Sequence, residues 1–194
     1  MEILALLLAI PLLAGPFLWF YGERDSAPEV NAFFSFATLA VAAWLTATVV
    51  SGGPIMGFAE QFFVDPLNVF LVALTAFVGF TTSLFSGPYM RIERDKGRMT
   101  PARLRLYHSM YQVFMFTMLL ALTTNNMGIL WVAMEAATLA TVLLVSVYRT
   151  AAALEAAWKY FILCGVGIAQ ALFGTILLYF AAERVLGSDR KSVV

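Results

Sequence analysis

The amino-acid sequence predicts an all-α fold, a polytopic membrane helix bundle of about six transmembrane helices. Three observations carry that expectation. Of 194 residues, 61% are hydrophobic and 12% are charged. A soluble domain usually carries about 25% charge to keep its surface wet, so half that amount makes lipid the main solvent. The mean hydropathy is +0.84. Six stretches each approach the roughly 20 apolar residues that a helix needs to cross about 30 Å of hydrocarbon.

The first span is predicted over 2–21. Pro11 and Pro16 fall inside it, where membrane helices tolerate proline. It lacks a basic lead, since residue 2 is Glu2, and no small-residue cleavage site follows before Glu23. It therefore reads as a retained helix rather than a cleaved signal. The second span is predicted over 29–51, followed by a loop opening on Gly52, Gly53 and Pro54. The third covers 65–86, with Asp65 as cap and Pro66 at the first helical position. The fourth covers 107–124 and ends in a tight polar turn, Thr123 to Asn126. The fifth covers 127–148 and the sixth 152–182. No strand alternation competes. The chain divides into residues 1–60 (two generic spans and a loop), 61–182 (helices three to six), and 183–194, expected to be an unstructured or truncated tail.

Lys and Arg placement predicts orientation. Arg91, Arg94, Lys96, Arg98, Arg103 and Arg105 lie between helices three and four, Arg24 between one and two, and Arg149 between five and six. All eight fall on one side, which should face the cytoplasm and leave both termini outside. The other side has Arg184, Arg190 and Lys191, all in the tail. A basic end there breaks the rule, as if the chain stopped early. The basic run reads as a topology determinant rather than an anion site.

Twelve basic and twelve acidic residues balance, which argues against nucleic acid as a partner, since that needs a basic face. One cysteine, Cys164, and one histidine, His108, cannot build a multi-ligand metal site. No nucleotide loop, catalytic triad, haem motif or quinone motif is present. No cofactor, metal or catalytic residue is expected in this chain.

Chemistry narrows to ionisable groups at membrane depth. Glu135 sits eight residues into helix five, about 12 Å deep, and Lys159 seven into helix six, about 10 Å deep. Their heights should differ by less than about 10 Å. Charge at such depth costs about 2.5–3.5 kcal/mol on insertion scales, so each group must neutralise, pair or meet water. A carboxyl and an amine under that pressure are the parts of a proton relay. Ala133, Ala136, Ala137, Thr138 and Ala140 leave room for water or close packing beside Glu135. The bland alternatives are an interhelical carboxyl bond for Glu135 and a Lys159 that extends to the headgroups. Auxiliary candidates are His108 at the opening of helix four, Glu155 as an i,i+4 partner of Lys159, and Asp65, read first as a cap. Cys164 reads as packing. Thr117, Thr123 and Thr124 could line a wet path.

The run Asn125-Asn126-Met127-Gly128-Ile129-Leu130-Trp131-Val132-Ala133-Met134-Glu135-Ala136-Ala137-Thr138-Leu139 resembles helix five of the antiporter-like membrane subunits of respiratory complex I, multisubunit cation/proton antiporters and membrane-bound hydrogenases. Leu154-Glu155-Ala156-Ala157-Trp158-Lys159-Tyr160 resembles the start of their helix six. Asp65-Pro66-Leu67 and Ser86-Gly87-Pro88-Tyr89-Met90-Arg91 match earlier landmarks. The nearest likeness is to hydrogenase-4 component F and its relatives, over about residues 60 to 182.

The resemblance implies that Glu135 is the buried helix-five glutamate of a proton channel and that Lys159 matches a helix-six lysine of some members. It implies other membrane-arm subunits as partners, a bacterial or archaeal plasma (inner) membrane, and oxidoreductase chemistry in those partners rather than here. Members have about fourteen helices and use lysines on helices seven, eight and twelve. This sequence has none of these, so a fragment or a split subunit is expected. Two readings stay open: a proton-translocating subunit, or a non-conducting scaffold whose buried polar pair fixes helix packing. A stand-alone sodium/proton antiporter has too few oxygen ligands here.

Overall fold

The computed structural model describes residues 2–186, with side chains described for 2–182. Six helices appear in the expected order: α1 (Glu2–Tyr21), α2 (Ala27–Gly52), α3 (Pro66–Asp95), α4 (Pro101–Thr123), α5 (Met127–Val145) and α6 (Ala151–Leu186). A 3-10 turn, Ser146–Tyr148, follows α5. The molecule is a multi-pass, all-α membrane bundle. Of the predicted tail, 183–186 continue α6, and 187–194, with Arg190 and Lys191, lie outside the described residues.

Helix starts follow local chemistry. Asp65 accepts a bond from the Asn68 amide at 2.7 Å, with Pro66 next to it, and this satisfies one orphan donor of the first turn. Thr100 caps α4 through the Arg103 amide, again before a proline. Asn126 caps α5 through the amides of Gly128 and Ile129 at 2.8 and 3.2 Å.

Three expectations need correction. First, a short antiparallel hairpin exists: β1 (Ile55–Gly57) pairs with β2 (Phe62–Val64), Met56 opposite Phe63. Three-residue strands are too short to show alternation. Their turn has Phe58, Ala59 and Glu60 all at positive φ, a conformation that no glycine announces. Second, α3 does not stop near 86. It runs through Pro88 to Asp95 because its last two turns find partners: Arg91 pairs with Glu29, and Arg94 with Asp25. The basic "loop" is therefore mostly helix, with a connection of only 96–100. Third, α4 begins at Pro101. His108 does not open that helix at the edge; it lies two turns inside and is buried, 1% exposed.

Five helices are long and apolar enough to cross a membrane; α4 is the exception among the six. It carries Arg103, Arg105, His108 and Gln112. It can afford them because it packs against α1, α3 and α5, so its polar groups meet protein rather than lipid. Leu7 and Leu4 of α1, Leu45 and Val49 of α2, Val72 and Ala76 of α3 and Leu119 of α4 close the four-helix core. Close approach demands glycine at Gly22, where a Cβ would stand 2.9 Å from the Arg105 Cα. Helix α5 lies on α4, and α6 on α5.

Candidate functional site

Two polar constellations emerge. The first is Glu135 in the α5–α6 layer. Ala133, Ala137 and Ala140 are buried on the face of α5 that meets α4. Glu135 is half-buried on the flank of that seam. Its i−4 neighbour Trp131 reaches α6, donating from Nε1 to the Ile168 carbonyl at 3.0 Å. Farther along, Thr141 Oγ1 bonds Tyr160 Oη at 2.9 Å. These two rungs set the antiparallel register and place Glu135 opposite Gly165. A Cβ on Gly165 would meet nothing within 4 Å. Glu135 has no hydrogen bond or ion pair among the described residues.

Lys159 stands opposite Thr141 or so, about six residues from Glu135's level, or about 9 Å along the axis at 1.5 Å per residue. It pairs with Glu155 on its own helix, side chains 70% and 66% exposed. Glu155 is thus the partner of Lys159, and the structure does not bring Lys159 to Glu135. Asp65 is at the far end of α3, occupied as a cap. Thr117 and Thr123 give their hydroxyls to carbonyls of their own helix, Phe114 and Leu119, at 2.9 and 2.8 Å. Cys164 is a free, partly buried thiol.

The second constellation was not anticipated from the sequence. Between α2, α3 and α4, Gln112 Nε2 donates to Asn31 Oδ1 at 2.8 Å and to Ser35 Oγ at 3.1 Å. Asn31 Nδ2 donates on to Ser83 Oγ at 2.9 Å. Tyr111 Oη donates to the Gly79 carbonyl, and Ser109 Oγ to the Gly15 carbonyl at 2.9 Å. Gln112 Oε1 and His108 Nδ1 are buried without partners. Each such orphan costs about 1–3 kcal/mol. The signal available in the sequence was spacing: Asn31 with Ser35, and His108 with Gln112, recur at i,i+4 on one face inside apolar helices.

At the basic end of the bundle the arginines are matched by acids. Arg105 pairs with Glu23 at 2.9 Å, and Arg98 with the buried Glu93 at 3.4 Å. The exposed pairs are worth about 0–1 kcal/mol each.

The fold and these sites define a multi-pass helical membrane protein with a hydrogen-bonded polar core and one half-buried carboxyl in its outer layer. Over 126 residues, 65% of the chain, it is 56% identical to the hydrogenase-4 component F homolog of Methylacidiphilum infernorum. The match covers 26% of that protein, so the chain spans about a quarter of the curated relative's length. A chain of the membrane-bound sulfane sulfur reductase (MBS), an archaeal respiratory membrane complex, superposes with a TM-score of 0.78 at 22% identity. That superposition covers 93% of this chain and 38% of the other, and it shows the shared fold. No family model matches.

Proposed function

We propose that this chain is the N-terminal portion of a proton-translocating membrane subunit in a hydrogenase or NADH dehydrogenase-like complex, with Glu135 as its protonatable group. One observation carries the reading: a half-buried carboxyl midway along α5, without a hydrogen bond or ion pair among the described residues. Burial opposes the charged form of a carboxyl, and a cation close by favours it. A cation brought toward it by a conformational step would shift that balance and release a proton; its withdrawal would restore uptake. Partner subunits of the membrane arm would supply the redox chemistry and the further charges. The likeness to the hydrogenase-4 component F homolog supports this assignment.

Lys159 is an auxiliary in this scheme. Its exposed pair with Glu155 leaves it free to exchange partners, and its level is within about two turns of Glu135. The host membrane would be a bacterial or archaeal plasma membrane, with the arginine-rich end toward the cytoplasm. A reporter fused at Thr100, on that end, should read as internal; an external reading reverses the topology.

The decisive experiment is Glu135→Gln in the assembled full-length complex. Most proton translocation should disappear at unchanged assembly. Undiminished translocation at unchanged assembly would favour the scaffold reading, which the alanine seam between α4 and α5 supports. Under that reading Ala137→Leu disrupts assembly while Glu135→Gln does nothing.

A further inference from the structure

The four-helix half contains a titratable group that a relay through Glu135 does not use. His108 is 1% exposed, and its Nδ1 has no partner. Gln112, one turn on along the same face of α4, is 0% exposed, and its Oε1 has none either. The other end of that amide is fully engaged with Asn31 and Ser35, so rotation of the amide cannot supply what Oε1 lacks. Of the ring atoms of His108 it is Nδ1 that is buried without a partner, and a neutral Nδ1 donates or accepts according to tautomer. A water, which can do both, suits Nδ1 and Oε1 together.

A route exists by which water could serve. His108 forms part of the floor of a cleft that opens at the basic end, between Gly22 and Ala27 of the α1–α2 connection, Arg94 of α3 and Leu104 of α4. Its free space is about the size of one water molecule, which is enough when two or more polar groups hold it. The mouth carries four arginines against three acids. Arg94 pairs with Asp25, Arg91 with Glu29, and Arg24 lies over the Tyr21 ring at 4.6 Å. Arg105 on α4 pairs with Glu23. Tyr107, also on α4, lies 5.2 Å from the imidazole between ring centroids.

We propose that His108 is a hydrated protonation site, filled with water from the basic end and bridged through that water to Gln112. In the step this implies, a hydronium in the cleft transfers its proton to the free imidazole nitrogen and becomes water. The new imidazolium N–H then donates to the bridging water, whose own hydrogen goes to Gln112 Oε1. Release is the reverse, and no bond between heavy atoms changes. The inference does not depend on Glu135, and Glu135→Gln should leave it intact.

The test exploits the fact that the chain contains one histidine. Nitrogen-15 histidine incorporated into the full chain in lipid bilayers gives one pair of ring resonances under magic-angle spinning. Water protons should transfer magnetisation to the ring, and the pair should move from the neutral to the imidazolium pattern only below the usual imidazole range, because burial opposes the charged form. Ala27→Leu, which adds bulk at the cleft mouth, should slow the water transfer several-fold while leaving the ring resonances in place. Gln112→Met should weaken the transfer by removing the bridge. A wild-type ring that receives no magnetisation from water overturns the proposal, whatever the variants do.

Discussion

Helices α1 to α4 and the α5–α6 layer are made from similarly apolar sequence, yet they bury it very differently. The first four helices close around leucines and valines and enclose a chain of amide and hydroxyl groups. In α6 the only buried residue among those described is Ala157. Its apolar side chains, with Leu139 and Leu143 of α5, line a groove that includes Trp158 and Phe161. Apolarity alone thus does not decide packing in a membrane protein. Lipid satisfies leucine as well as protein does, so helices associate through small residues, close fit and polar bonds. The α1–α4 half has all three; α5 to α6 has two side-chain hydrogen bonds at Trp131 and Thr141.

Four substitutions sharpen that contrast, and each is read as the stability of the folded chain in lipid or mild detergent. Gln112→Leu should cost most, about 2–3 kcal/mol, because it removes two side-chain bonds and strands Asn31 and Ser35 in a buried space. Gly22→Ala should cost about 1–3 kcal/mol by overpacking, since the intruding methyl meets the Arg105 backbone, which cannot rotate away. Lys159→Gln should cost about 0.5 kcal/mol or less, the worth of an exposed i,i+4 ion pair. Gly165→Ala should be nearly silent, within about 0.5 kcal/mol, because nothing stands near the added carbon. If Gly165→Ala proved as damaging as Gly22→Ala, the two halves would be equally packed and the contrast would fail.

The sequence already disclosed the helices and much of their order, because a 20-residue apolar span is hard to mistake. The cap at Asp65 was legible for a related reason: its chemistry is local, whereas Asn126 was read only as part of a polar turn. The continuation of α3 past Pro88 was not, because it depends on Glu29 and Asp25, more than sixty residues away along the chain. The hairpin was hidden by its brevity. Glu135 stood out as a charge in an apolar run, whereas Asn31, Ser83 and Gln112 did not, since neutral polar residues carry no comparable cost. Their meaning comes from three helices meeting. His108 was visible but misplaced, because the start of α4 lies on polar residues that hydropathy assigns to a loop.

The hairpin has one further consequence. Its tip, where Phe58, Ala59 and Glu60 adopt left-handed backbone, is fastened to the α4–α5 turn. The Asn125 amide donates to the Gln61 carbonyl at 2.7 Å, and Asn126 Nδ2 to Gln61 Oε1 at 2.8 Å. Asn126 is also the residue from which α5 begins. The fastening therefore works as a depth gauge. It indexes the first turn of α5 against the α2–α3 connection, and every residue on that helix inherits its height from the same reference. A one-residue slip at the fastening would move the Glu135 carboxyl about 1.5 Å along the helix axis and rotate it by about 100°. The acid's level in the membrane is set nine and ten residues upstream, by two asparagines bonded to a glutamine of the hairpin.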